Sequence, residues 1–257
     1  MDTTDNTILI TGGGSGIGRG LAEAFHSLGN KVIIAGRRPK PLEEVTRANP
    51  GIVSATLDVA DPSAIRGFAA EIIGRHPDLN VLINNAGISG AEDLLSAPAN
   101  LEKSEAIVTT NLLGPIRLTC ALLPHLLKRN RPAIFNVSSG LAFVPLPAMA
   151  TYCATKAAIH SYTQSLRWQL RDTLVQVFEI IPPYVQTELG GPTQAVDPRA
   201  MPLKDFITET MRIIQSDPRE REICVERVKA LRFAEANGAY NSVFQARASE
   251  PLRQMTL

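Results

Sequence analysis

Short runs rich in β-branched and other apolar residues punctuate the chain at 7–11, 31–35, 52–57, 79–83, 133–137 and 174–181. Stretches with helical periodicity lie between them, over 15–28, 62–74 and 149–171, with a further helical region between the fourth and fifth runs. The runs are continuously apolar, as in strands covered on both faces, so the expected sheet is parallel with helices on each side. The spacing predicts an α/β chain with a doubly wound parallel sheet of six or seven strands. In such a sheet ligands bind beyond the carboxyl ends of the strands, which points to the loops after Ile10, Ala35, Leu57, Ile83 and Val137.

The length of 257 residues suits one domain spanning 1–257, and 44% hydrophobic residues give it ample surface to bury. With 26 Lys+Arg against 25 Asp+Glu the charge is nearly balanced, which argues against a nucleic-acid or membrane-surface binder. No run of about 18 apolar residues occurs and the start, MDTTDN, lacks a basic segment, so a cytoplasmic chain without membrane span or leader is expected. Cys120, Cys153 and Cys224 are scattered, which fits a reducing compartment and unpaired packing thiols. The four histidines form no HxxxH or HExxH pair, and no metal is expected.

After residue 181 the texture changes. Pro182, Pro183, Gly190, Gly191, Pro192, Pro198 and Pro202 break the chain before helical stretches expected at 203–215 and 219–236. This reads as a substrate loop or lid over 183–216, or an ordinary surface connection, followed by an atypical C-terminal helix and tail over 217–257.

The first strand runs into Thr11-Gly12-Gly13-Gly14-Ser15-Gly16-Ile17-Gly18 and then a helix. Glycines let the backbone approach a pyrophosphate, whose charge the helix N-terminal N–H groups meet. The GxGxxG spacing is not matched, because Ile17 stands where its third glycine would fall. Thr11, Gly12, Gly16 and Gly18 do fit TGxxxGxG; Asn84-Asn85-Ala86-Gly87 follows the fourth strand; and Tyr152-Cys153-Ala154-Thr155-Lys156 is a YxxxK. In these motifs and their order the chain resembles the short-chain dehydrogenase/reductase family, in its single-domain branch, over about residues 6 to 190. The resemblance implies a Rossmann-type fold, a nicotinamide cofactor and a homodimer or homotetramer.

Tyr152 and Lys156 are i and i+4 on a predicted helix, so both side chains project from one face. A neighbouring ammonium and an oxidised nicotinamide are expected to lower the phenol's pKa and make Tyr152 a usable acid or base. The resemblance makes Tyr152 the proton exchanger and has Lys156 also hydrogen-bond the nicotinamide ribose. Ser139, 13 residues before the tyrosine, becomes the residue that holds the substrate oxygen, and Ser138 a structural neighbour. Asn111 becomes a fourth catalytic member that kinks its helix and holds a relay water; read alone, it is a buried structural amide.

By the same resemblance Asp58 binds the adenine amino group with Val59 beside the ring; read alone, Asp58 is equally a helix cap. Asn85, Ala86 and Gly87 line the cofactor floor, and Pro182, Val185 and Thr187 contact the nicotinamide side, with Pro183 standing where a glycine is common. The second strand ends in Arg37-Arg38 with no carboxylate to accept a ribose 2′-hydroxyl. Arg37, Arg38 and Ser15 suit a 2′-phosphate instead, so NADP is expected over NAD. Leu141, Phe143, Met149, Tyr184 and Leu189 suggest an apolar pocket around Ser139 and Tyr152, for a hydrophobic or aromatic ketone or secondary alcohol.

No seventh strand with the family's Asp-Gly-Gly ending is evident, which puts the usual tetramer contact in doubt. The expected activity is a carbonyl reductase or alcohol dehydrogenase. The alternative is a dinucleotide-binding sensor or scaffold with little turnover; an epimerase or dehydratase would need a larger C-terminal substrate domain.

Overall fold

The computed structural model describes residues 2–93, 95, 101–216 and 220–249. Seven parallel strands form one sheet: β1 (Thr7–Thr11), β2 (Lys31–Gly36), β3 (Val53–Thr56), β4 (Val81–Asn84), β5 (Ala133–Val137), β6 (Gln176–Ile181) and β7 (Glu222–Cys224). Their order is β3-β2-β1-β4-β5-β6-β7, so the winding reverses beside β1. All pairings are parallel, with Ile8 opposite Val32 on one side and Val81 on the other.

Alternation along β1 shows why the runs are apolar throughout. Ile8 and Ile10 point to the face covered by α1 (Gly16–Ser27), α2 (Pro39–Ala48) and α7 (Leu203–Ser216), through Leu21, Phe25, Leu42, Val45, Phe206 and Ile214. Leu9 points to the other face, covered by α3 (Pro62–Arg75), α5 (Gly114–Leu126) and α6 (Ala150–Gln169), through Ile65, Ile72, Leu118, Leu122 and Leu166. Burying a side chain of this size contributes about 1.5–3 kcal/mol, and both faces collect several. The expected doubly wound sheet with helices on both faces is therefore present.

Before α5, α4 (Leu101–Val108) continues through a π-helical turn, Thr109–Leu113. The stretch Leu101–Leu126 is long and apolar enough to cross a membrane on length and composition alone, with a mean hydropathy of 1.5. Here Ile107, Leu118, Leu122 and Leu126 are buried against the domain core.

Three expectations need correction. A seventh strand does exist: β7 pairs with β6 where a helix over 219–236 was expected, and only short helical turns follow, Glu226–Val228 and α8 (Lys229–Arg232). Three residues carry no readable period, and Ile223 is buried by its place at the sheet edge. The region expected as a lid does not reach 216, because α7 buries Phe206, Met211 and Ile214 in the core. One thiol is not a packing group: Cys120 is exposed, whereas Cys224 is half-buried and Cys153 buried, as expected of packing cysteines. The chain ends its described part in α9 (Tyr240–Ala248).

Candidate active site

One cavity of about 1270 Å³ runs along the carboxyl edge of the sheet, from the glycine loop after β1 past the ends of β2, β4, β5 and β6 to α9. Its floor is tied together by polar bonds. The Thr11 hydroxyl accepts from the backbone N–H of Asn85 and of Ala86, both at 3.0 Å, and the Asn85 amide donates to the Thr11 carbonyl at 2.9 Å. The loops after β1 and β4 thus hold each other.

The glycine loop leaves room only for backbone. Gly12 has φ +69°, in the left-handed region, and a Cβ on Gly18 would lie 2.3 Å from the Gly12 carbonyl oxygen. Ser15 caps α1 by position but spends no side-chain hydrogen bond on the cap, so its hydroxyl and the first N–H groups of the helix are open to the cavity. Arg37 and Arg38, past the end of β2, line the same cavity, and neither forms an ion pair or hydrogen bond among the described residues. A cradle that a Cβ would fill, open N–H donors and two free guanidinium groups fit a dinucleotide phosphate. Gly16, Ile17, Val59, Gly87, Pro182, Val185 and Thr187 also line the cavity.

Asp58 does not line the cavity, although Leu57 and Val59 do. Its carboxylate accepts from the Ala60 N–H at 2.9 Å, closing a local turn, and the cap of α3 is Asp61, which accepts from Ser63 and Ala64. Phe143 is likewise absent from the wall. Its ring packs edge-on against His160 with centroids 4.7 Å apart, and Arg232 covers its face at 4.6 Å. Leu141, Met149, Tyr184 and Leu189 do line the cavity. Tyr184 is half-turned to its rim, its hydroxyl 3.2 Å from Asp197. Ser89 donates to the Leu189 carbonyl at 3.0 Å, bridging the loops after β4 and β6.

At the centre sit Ser139, Tyr152 and Lys156. Ser139 follows β5, and α6 presents the other two from one face, both buried. Burial pushes the Tyr152 phenol's pKa up, outweighing the nearby Ser139 hydroxyl, which acts to lower it. Desolvation thus opposes the lowering expected from Lys156 together with an oxidised nicotinamide. The Lys156 ammonium lies 5.6 Å from the Tyr152 ring centre and donates to the Val137 carbonyl at 2.8 Å. Burial pulls its pKa down to about 8, against the opposing field of Glu179.

Asn111 sits within the π-helical turn, where the helix is widened. Its amide pairs with both backbone groups of Ile88, accepting from N–H at 2.9 Å and donating to the carbonyl at 2.8 Å, and it reaches Thr155 at 3.4 Å. Both amide protons are spent on the protein. The side chain therefore clamps the segment after β4 in place.

Glu179 was missed by sequence reasoning, because an acid inside an apolar strand gives no hint of its partners. Fully buried on β6, it accepts from Ser138 and meets His160 Nδ1 at 2.8 Å. Among the described residues His160, Glu179 and Glu222 place donor atoms within 4.8 Å of one another, the spacing of a metal site. Protein partners occupy them: Ser138 and His160 engage Glu179, and Arg232 pairs with Glu222 at 2.6 Å.

A family model described as short chain dehydrogenase matches residues 6–197. The chain belongs to the short-chain dehydrogenase family. It is 39% identical over 95% of its length to an uncharacterized oxidoreductase, DltE, of Bacillus subtilis, covering 97% of that protein. An NADP-dependent 3-hydroxy acid dehydrogenase of Schizosaccharomyces pombe is 34% identical over 72% of this chain and 73% of its own length. A short-chain dehydrogenase from Burkholderia cenocepacia, solved with NADP, superposes with TM-score 0.79 at 26% identity, covering 98% of this chain and 100% of that one. Similar solved structures hold NADP or NAD. The chain is thus an oxidoreductase of the short-chain dehydrogenase kind.

Proposed function

We propose that this short-chain dehydrogenase is an NADP(H)-dependent carbonyl reductase or alcohol dehydrogenase acting on a ketone or secondary alcohol with an apolar body. The observation that carries the reading is that Ser139, Tyr152 and Lys156 line the same cavity as the glycine cradle, with the Lys156 ammonium 5.6 Å from the Tyr152 ring centre. The bound nicotinamide supplies a hydride for the carbonyl carbon. Tyr152, held neutral by burial, gives its proton to the substrate oxygen as negative charge develops there. Ser139 donates to the same oxygen, and water is kept out by Leu141, Leu146 and Met149. Lys156 keeps two protons free of its bond to Val137, one for the nicotinamide ribose and one whose charge eases loss of the phenol proton. Asn111 acts as a positioning residue by fixing Ile88 beside the cavity.

Preference for NADP rests on Arg37 and Arg38, which have no protein partner among the described residues, and on the lack of an acid after β2. The enzyme works in the cytoplasm, and as a homodimer or homotetramer; for the assembly, β7 stands as the last strand of the sheet and offers an edge to a partner. The test is kcat/KM for NADPH and for NADH in the unaltered protein and in Arg37→Ala. NADPH is preferred, and the variant loses roughly tenfold to hundredfold with NADPH alone, as loss of a charge-assisted bond requires. A clear NADH preference in the unaltered protein would sink the assignment.

A further inference from the structure

Beyond Tyr152 the cavity continues past Leu141, Leu146 and Met149 to a wall formed by α9, which contributes Val243 and Arg247. α9 rests on the helical turn Pro147–Met149, which leads into the first turn of α6 and Tyr152. The C-terminal helix is thereby part of the substrate end of the site.

Arg247 is unusual there. Among the described residues its Nε atom is buried without a hydrogen-bond partner, and the side chain forms no ion pair. Its charge acts on the thiol of Cys153, the residue next to Tyr152. A guanidinium cannot shed its proton, so a buried, unanswered N–H edge is costly and calls for an anion. Of the acids in this region, Glu188 lines the cavity but is exposed, and two others are already engaged. Glu92 accepts from Ser104 at 2.6 Å and from the Thr151 N–H at 2.7 Å, and Asp197 is paired with Arg199 at 2.8 Å. Basic residues outnumber acidic ones six to two around the whole cavity. Arg37 and Arg38 face the nucleotide end, Lys156 is bonded to the Val137 carbonyl, Arg199 is paired with Asp197 and Arg227 donates to the Arg199 carbonyl, which leaves Arg247 as a separate positive centre at the substrate end.

We infer that Arg247 anchors a carboxylate on the substrate, so that the natural substrate is an oxo acid or the matching hydroxy acid. This deepens, and rests on, the reading of Ser139 and Tyr152 as the reducing centre. The carbonyl lies between those two hydroxyls, the stem runs along Leu141, Leu146, Met149 and Val243, and the acid end meets the guanidinium. The planar fork of a single arginine matches the two oxygens of a carboxylate.

The experiment compares straight-chain oxo acids of increasing length with their methyl esters. Binding is measured by calorimetry on protein saturated with NADP⁺, and turnover is measured with NADPH. At least one acid binds tenfold to hundredfold more tightly than its ester, the range expected for a charge-assisted hydrogen bond. Arg247→Met brings that ratio close to one, and Arg247→Lys restores part of it. The ratio is independent of how much of each variant is folded. Esters that bind as well as every acid, or an acid preference that survives Arg247→Met, would overturn the inference. An Arg247-dependent preference without NADPH or NADH turnover would instead uphold the anion site and defeat the reductase reading.

Discussion

The Lys156 ammonium donates a hydrogen bond of 2.8 Å to the carbonyl oxygen of Val137, the last residue of β5. One strand end thereby fixes the lysine from α6, while the residues just after that strand supply Ser138 and Ser139. The position of the ammonium is set by the sheet itself, and its burial is the condition under which it works.

That burial has a measurable consequence for stability. Lys156 has its pKa depressed from 10.5 to about 8, so the folded chain disfavours its charged form. The stability contribution is present above the unfolded value and lost as pH falls through about 8. Urea denaturation of the wild-type chain and Lys156→Met at about pH 7 and about pH 10 is expected to show the wild type gaining roughly 2–3 kcal/mol on the variant. A constant difference between the two would contradict the burial argument.

Asn111→Ala removes both bonds to the backbone of Ile88 and leaves those groups unanswered in a half-buried segment. An expected loss of about 1–3 kcal/mol follows from the desolvation of the unpaired groups. Chemical denaturation measures it, and kcat falls with it because Ile88 borders the cavity. Full stability in the variant would remove the clamp from the account.

Gly18→Ala tests the nucleotide cradle. The added carbon would meet the Gly12 carbonyl, and Gly12 cannot retreat freely because its N–H donates to Ala35 at 2.7 Å. Overpacking of this sort costs about 1–3 kcal/mol, and the displaced loop is expected to bind NADPH more weakly. Unchanged affinity in a fluorescence titration would show that the loop is not the phosphate site.

The parts legible in the sequence share one property: their signal lies within a few residues. β5 reads directly from 133–137, and Tyr152 and Lys156 declare a common helix face by their spacing. What was illegible depends on distant partners. β7 is a strand because β6 offers Ile180 as a neighbour for Ile223, and α2 forms where Leu42 and Val45 find the sheet. Phe143 looked like pocket lining because it is apolar and near Tyr152, yet His160 and Arg232 draw it away. Arg247 lies about a hundred residues from the YxxxK motif, and only the folding of α9 onto Pro147–Met149 brings it to the cavity.

The central claim is that Tyr152 supplies the proton in a nicotinamide-dependent carbonyl reduction. It is tested most directly by measuring NADPH consumption with a ketone substrate in the wild-type chain and Tyr152→Phe, with nucleotide affinity determined on the same samples. The account predicts turnover in the wild type and a loss of about 10²–10⁴ in kcat in the variant, with NADPH affinity retained. Equal turnover in the variant, or tight NADPH binding without turnover in the wild type across ketones and oxo acids, would contradict it.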